Sequence, residues 1–438
     1  MVNPSKKEIF KFLIKEFHTQ PLPFAIKREL EIPLSSNKII TIYGPRRSGK
    51  SFYFFYLIQE LIKKNVVKER ILYLNFEDDR ILPLAYKEFD LILEAYFELY
   101  PENKKEKIFL FFDEIQNIKN WEIFIRRIYD KENSQIFITG SSSKLLSKEI
   151  ATSLRGRTLS YSLFPLNFRE FLSFKEEKLK RDFQYTSQRF RVKKLLEEFI
   201  EWGGFPEIVL EKDFVLKRKI LEEYFNLLIY RDLVDRFSLN NIDLLKDLLK
   251  YLFTNFTSTF SINSYYNLTK QKLSLSRETI SRYLSCIEES LHLFLLPKFS
   301  YSLKVQKVNP KKIICLDNGL RNIISFRFSQ DKGKLVENLV GFELIKKGKI
   351  FYWSNKQEVD FIKKEETGLT AVNVCYSNLV KDREAKSLLE FQKNFRWLKK
   401  RMIITEDKEG EEKINGKTIK FTPLWKWLLG QNRAISKL

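Results

Sequence analysis

The sequence predicts an α/β protein whose core is a parallel sheet with helices on both faces, and three features carry that prediction. A β-rich stretch at 39–43 runs into Gly44-Pro45-Arg46-Arg47-Ser48-Gly49-Lys50-Ser51 and then into an apolar helical run at 52–62. A fully apolar run, Ile108-Phe109-Leu110-Phe111-Phe112, ends in Asp113-Glu114. Strand-like stretches at 70–76, 108–112 and 135–139 alternate with helical ones, the pattern of parallel strands joined by crossovers.

Residues 1–20 come first, with Lys6, Lys7 and Glu8 alternating with Ile9, Phe10, Phe12 and Leu13. They read as a charged amphipathic segment without the apolar region of a signal peptide. The strand-loop-helix at 38–62 is next and matches G-x-x-x-x-G-K-[ST]. Glycines let successive backbone N–H groups close around phosphates, and the helix N-terminus adds its positive end. Gly44, Pro45, Arg46, Arg47, Ser48, Gly49 and Phe52 are the expected walls of this cradle. Lys50 would reach the β- and γ-phosphates, and Ser51 would ligand Mg²⁺. The aromatic set Phe52, Tyr53, Phe54, Phe55 and Tyr56 reads as core-facing helix rather than as a platform for bases.

The strand at 108–112 delivers Asp113 and Glu114 at the carboxyl edge of the sheet. There Asp113 would ligand or support the metal, and Glu114 would polarise the attacking water. The strand at 135–139 ends in Thr139-Gly140-Ser141-Ser142-Ser143. A hydroxyl at Thr139 or Ser141 is placed to sense a γ-phosphate, and the same serines equally suit a helix cap before 144–146. Arg155 and Arg157 follow; either suits an arginine finger reaching a neighbouring subunit's nucleotide, and both also suit a basic surface.

These stretches, with Phe164-Pro-Leu-Asn-Phe-Arg-Glu-Phe171 and Gly203-Gly-Phe-Pro-Glu207, resemble archaeal and bacterial AAA+ ATPases related to the STAND branch that carry a C-terminal restriction-endonuclease-like domain. The resemblance covers most of the chain. It implies Mg²⁺-dependent ATP hydrolysis, assembly into homo-oligomers with shared sites, and a helical lid in which Pro206 lies near the nucleotide base. From the residues alone, 203–206 is a turn between helical stretches at 187–201 and 214–231.

Beyond residue 240, helices are expected at 243–253, 261–269 and 277–289, the last capped by Ser276, with strands at 293–299 and 311–316 after them. That order suits a winged helix-turn-helix with Arg277, Thr279, Ser281 and Arg282 on its recognition helix, or a protein-docking module of the same shape. The final segment resembles the nuclease-like core. Glu337 and Asp360 match its metal ligands, while Asn373 and Cys375 stand where an E-x-K pair would be, so cleavage is not expected. The expected domains are 1–172 (ATPase core), 173–238 (lid), 239–305 (winged helix) and 306–438 (degenerate nuclease-like).

Composition bounds the rest. The 438 residues suffice for two to four domains, and 78 Lys and Arg against 56 Asp and Glu leave a net charge of +22. Such an excess favours polyanionic partners, here ATP and double-stranded DNA. Three cysteines and two histidines without ligand spacing argue against a zinc site or disulfide framework. No apolar run is long enough to span a bilayer, and a cytoplasmic location is expected. The leading expectation is a Mg²⁺-dependent AAA+/STAND-type ATPase that couples turnover to conformational change or oligomerisation on DNA. The alternative is a nucleotide-dependent scaffold or switch that binds proteins with negligible turnover.

Overall fold

Runs of β-branched and aromatic residues set five strands in the first part of the chain, because such side chains pack well on a pleated surface. The strands are β1 (Ile39–Tyr43), β2 (Ile71–Asn75), β3 (Ile108–Asp113), β4 (Ser134–Gly140) and β5 (Thr158–Ser162). They lie in the order β2-β3-β4-β1-β5, every adjacent pair parallel. The structure, a computed structural model, describes residues 5–141, 154, 156–270, 276–325, 332–377 and 379–430. Arg155, Ser142, Ser143 and the expected helix start at 144–146 lie outside these residues. The chain divides into two compact units, Met1–Phe164 and Pro165–Leu438.

In the first unit, alternate residues of each strand feed opposite faces of the sheet. Ile40, Ile42, Phe109, Phe111 and Phe137 pack with Tyr53, Phe54, Leu57, Ile58 and Leu61 of helix α2 (Lys50–Lys63). The intervening residues Leu110, Phe112, Ile136 and Ile138 pack against α1 (Lys6–Thr19), α3 (Asp90–Leu99) and α4 (Trp121–Lys131). Phe111 and Phe137 stack across β3 and β4 at 4.5 Å between ring centroids. Burial on both faces explains why β3 is apolar throughout. Tyr53 and Phe54 face the core as expected, but Phe52, in the first turn of α2, is 55% exposed.

The second unit holds helical segments and two further sheets. Asn167 caps the helix Phe168–Phe174 in a reciprocal box: its side chain accepts from the Glu170 N–H at 2.9 Å, and its own N–H donates to the Glu170 carboxylate at 3.1 Å. Gly203 has φ +76°, and a Cβ there would lie 2.1 Å from the Asp317 carboxylate. Gly204 donates its N–H to Asp317 at 2.7 Å and accepts from Leu166 N–H at 2.7 Å. The Gly203-Gly204 pair is therefore a close-packing device that brings Leu166, just before the Asn167 cap, and Asp317 together.

Helices Ile242–Thr254, Ile262–Thr269 and Arg277–Glu289 accompany a three-stranded antiparallel sheet of β6 (Thr259–Phe260), β7 (Leu293–Leu296) and β8 (Lys311–Cys315), ordered β6-β8-β7. A short helix, Leu303–Val308, is inserted between β7 and β8. The helix Lys332–Ile345 leads into a six-stranded mixed sheet of β9 (Ile350–Ser354), β10 (Glu358–Glu365), β11 (Gly368–Cys375), β12 (Leu398–Thr405), β13 (Gly410–Ile414) and β14 (Lys417–Pro423). β9, β10 and β11 pair antiparallel, and β12 joins β11 in parallel after the helix Asp382–Asn394. Among the described residues no helix is long and apolar enough to cross a membrane.

Candidate nucleotide site

The phosphate loop is the turn from β1 into α2, and two of its residues take left-handed backbone conformations: Arg47 at φ +65° and Gly49 at φ +93°. Left-handed residues set between right-handed ones turn consecutive N–H groups toward one concavity, the arrangement that receives anions. Gly44 is fixed by space: a Cβ would sit 2.0 Å from the Leu163 carbonyl oxygen. The Ser48 hydroxyl is buried without a hydrogen-bond partner. Such a donor beside a cradle of backbone N–H groups fits a phosphate oxygen.

Lys50 is 4% exposed and spans this loop. Its Nζ donates to the carbonyls of Gly44 at 3.3 Å and Pro45 at 3.2 Å, and lies 3.0 Å from Glu114 Oε1. Glu114 follows the end of β3 at φ +51°, a strained turn that aims its carboxylate back toward the loop. Gln116 Nε2 donates to its other oxygen at 2.5 Å and reaches the Ser141 hydroxyl at 3.4 Å.

Asp113 is fully buried at the carboxyl end of β3. It accepts from the hydroxyls of Thr139, Ser51 and Tyr73, the last at 3.1 Å. Thr139 also accepts from the Glu114 N–H at 2.9 Å, so one hydroxyl ties both acidic residues. Parallel pairing of Phe112 with Ile138 sets Asp113 beside Thr139, and pairing of Ile42 with Thr139 sets both beside the loop. Two acidic residues thus meet different environments. Burial and the adjoining Glu114 raise Asp113 above its ordinary range, against the pull of Ser51, Thr139 and Lys50. Burial alone would raise Glu114 too, but the Lys50 ammonium, the Gln116 amide and Arg46 hold it below the usual carboxylate range. An ionised Glu114 suits a base. Asp113 and Ser51, already in contact, are the pair that can take a hard cation.

Arg46 makes an ion pair with Glu77 at 2.5 Å. Arg157 lies just before β5, at the opposite edge of the sheet from the loop. Its N-η2 is 3.1 Å from Asp130 and its guanidinium lies over the Tyr129 ring. It does not reach its own chain's nucleotide site, so a role in hydrolysis requires a second subunit. Pro206 opens the helix Pro206–Leu210 in the second unit.

Two contributors have no local sequence signal. Arg28, 6% exposed, donates to the carbonyls of Ser48 at 3.0 Å and Phe164 at 2.8 Å, clamping the loop from the extended segment before β1. Tyr73 bonds Asp113 from the neighbouring strand. A separate open hollow of about 770 Å³ is lined by Leu82, Pro83, Leu84 and Ile118 together with Asp79 and Asn117.

Residues 36–172 match the AAA domain family. Residues 193–331 and 332–427 match two domains of unknown function, DUF8612 and DUF4143. Over 421 residues the chain is 41% identical to the uncharacterized protein MJ1544 of Methanocaldococcus jannaschii, covering 92% of this chain and 91% of that one. The chain belongs to the family of that archaeal protein. An uncharacterized protein of Haemophilus influenzae is 29% identical over 391 residues, 88% of this chain and 94% of that one. Among solved structures, the Walker-type ATPase paby2304 of Pyrococcus abyssi is 12% identical with a TM-score of 0.43, covering 65% of this chain and 90% of that one. The phosphate-loop core is that of an AAA+ P-loop ATPase.

Proposed function

We propose that the chain is a Mg²⁺-dependent ATPase that couples ATP binding and hydrolysis to conformational change or oligomerisation on double-stranded DNA. The observation that carries the reading is the convergence of Lys50, Glu114, Asp113 and Thr139 on one phosphate loop. The loop N–H groups from Arg46 to Ser51 receive phosphate oxygens, and Lys50 neutralises the β- and γ-phosphates. Ser51 and Asp113 hold Mg²⁺, which when bound offsets charge on those oxygens. Glu114 exchanges Lys50 for the attacking water and orients it. Thr139, whose hydroxyl also accepts the Glu114 N–H, or Ser141, whose hydroxyl meets Gln116, reports the γ-phosphate. Arg157 or Arg155 acts in a neighbouring subunit, and Pro206 belongs to a lid over the base.

We assign the domains as 1–172, 173–238, 239–305 and 306–438. The element order from Ile242–Thr254 to β8 and the sheet order β6-β8-β7 support a winged helix that fills the third and takes its last strand, β8, from the start of the fourth. Lys307, Lys311 and Lys349 line a groove of about 380 Å³ beside the inserted helix Leu303–Val308, which favours phosphate contact there. The order helix, three antiparallel strands, helix, parallel strand supports a nuclease-like fold in the fourth. The STAND relation and a cytoplasmic location complete the reading.

A second reading, a slow nucleotide switch that binds protein, is favoured by Lys50 and Gln116 both engaging Glu114. ATP hydrolysis measured against protein concentration, with and without double-stranded DNA, separates the two. A specific rate that rises with concentration and responds to DNA supports the assembling ATPase. Negligible turnover with tight ATP binding supports the switch.

A further inference from the structure

The six-stranded sheet carries a second convergence of charge, independent of the ATPase reading. Glu337 comes from the helix Lys332–Ile345, and Glu358 and Asp360 come from β10. Lys312, on β8 of the three-stranded sheet, enters between them. Its Nζ is 2.6 Å from Glu337, 2.8 Å from Glu358 and 3.3 Å from Asp360, and its side chain is 1% exposed. The ammonium donates to Glu358 and Asp360, and the Glu337 carboxylate lies within ion-pair distance of it.

Asp360 is held in place by the backbone around it. Asp360 accepts the Val374 N–H at 2.8 Å on its second oxygen and donates its own N–H to Asn373 Oδ1 at 3.2 Å. Asn373 is in turn fixed by Ser387 at 2.7 Å and Glu384 at 3.0 Å. Three carboxylates on a helix and an adjacent strand form the donor set of a hard divalent cation. The metal that the nuclease-like resemblance implies nevertheless does not fit. The ammonium occupies the point of convergence, and an amide and a thiol, Asn373 and Cys375, stand where a further carboxylate and a lysine would be. Among the described residues no group of acidic, histidine or cysteine side chains is left open to a metal.

We propose that Lys312 is the resident cation of this carboxylate site. It takes the place of a divalent metal, removes metal-dependent phosphodiester hydrolysis from the sheet, and turns the site into a lock between β8 and β10. Tethering favours the lysine, because its ammonium is present at a high effective concentration while a metal must come from solution. A metal would also have to displace an ammonium that is already buried and ion-paired. Burial raises the Glu337 and Asp360 carboxyls against the pull of the Lys312 ammonium, and the surrounding carboxylates in turn keep that ammonium charged despite its burial.

Removing the ammonium should open the site. Nucleotide-free Lys312→Ala is titrated with Mn²⁺ by calorimetry and by the Mn²⁺ electron spin resonance signal, beside wild type, Asp360→Asn and the double variant. The expected result is one additional Mn²⁺ per chain in Lys312→Ala, lost in Lys312→Ala/Asp360→Asn, with wild type and Asp360→Asn indistinguishable. Saturable binding in wild type that Asp360→Asn removes would overturn the proposal, as would a folded Lys312→Ala that binds no additional ion. If Lys312→Ala does not fold alone, it is refolded with Mn²⁺, as is Lys312→Ala/Glu358→Gln, which carries one uncompensated carboxylate fewer. Folding that depends on Mn²⁺ supports the proposal, and failure of both variants to fold or bind with the ion present overturns it.

Discussion

Glu114→Gln should bind ATP about tenfold more tightly than wild type while losing hydrolysis. Lys50 is 3.0 Å from Glu114, and both side chains are at least nine-tenths buried. At that distance the attraction is roughly 5 kcal/mol at an effective dielectric constant of 20, before the cost of desolvating both groups is subtracted. A net worth of about 1.5–3 kcal/mol, that of a hydrogen bond to a charged group, is left for phosphates to displace when they claim the ammonium. Glutamine keeps the shape and a hydrogen bond but not the charge, so about 1.4 kcal/mol returns to nucleotide affinity, a factor of ten. The same change removes the group that orients water, a loss of about 10²–10⁴ in rate. Anisotropy of a fluorescent ATP analogue reads the first effect and phosphate release the second. Weaker or unchanged binding in Glu114→Gln would refute the reasoning, because it would mean that the ion pair does not compete with nucleotide.

Three further outcomes follow from named contacts. Gly44→Ala should lose nucleotide affinity by more than tenfold, since a Cβ 2.0 Å from the Leu163 carbonyl forces the loop aside; binding within twofold of wild type would contradict this. Arg28→Ala should lower unfolding free energy by about 1–3 kcal/mol and weaken ATP binding, because it strands the Ser48 and Phe164 carbonyls; a thermal midpoint equal to wild type would show that the clamp is dispensable. Asp317, which caps the helix Asn318–Ile324 and holds Gly204, is raised by burial from its ordinary 3.8 to about 6. A raised folded-state value means that wild type loses stability relative to Asp317→Asn as pH rises from about 4 to about 6, by up to about 3 kcal/mol. Denaturant unfolding at a series of pH values measures the difference, and a constant offset would deny the shift.

The nucleotide site was legible where its signal is local. The strand before Gly44, the lysine at the start of α2 and the apolar run ending at Asp113 are short-range patterns, and burial on both faces of a parallel sheet writes β3 as a continuous apolar string. Thr139 was legible because β4 ends where β1 and β3 end. Arg28 and Tyr73 were not, because their partners are 20 and 40 residues away and one arginine among many basic residues carries no pattern. Lys312 was hidden for a related reason. Lys311-Lys312 reads as a solvated pair at a strand start, yet a strand alternates its faces, and only the second lysine turns inward. The Gly203-Gly204 turn was visible, but its reason, the approach of Asp317, lies more than a hundred residues downstream.

The central claim is tested most directly by steady-state phosphate release from ATP with Mg²⁺ for wild type, Lys50→Ala and Glu114→Gln. Turnover by wild type that falls at least a hundredfold in both variants is the predicted result. Hydrolysis that survives in Lys50→Ala would contradict the account, since it would locate the chemistry away from this loop.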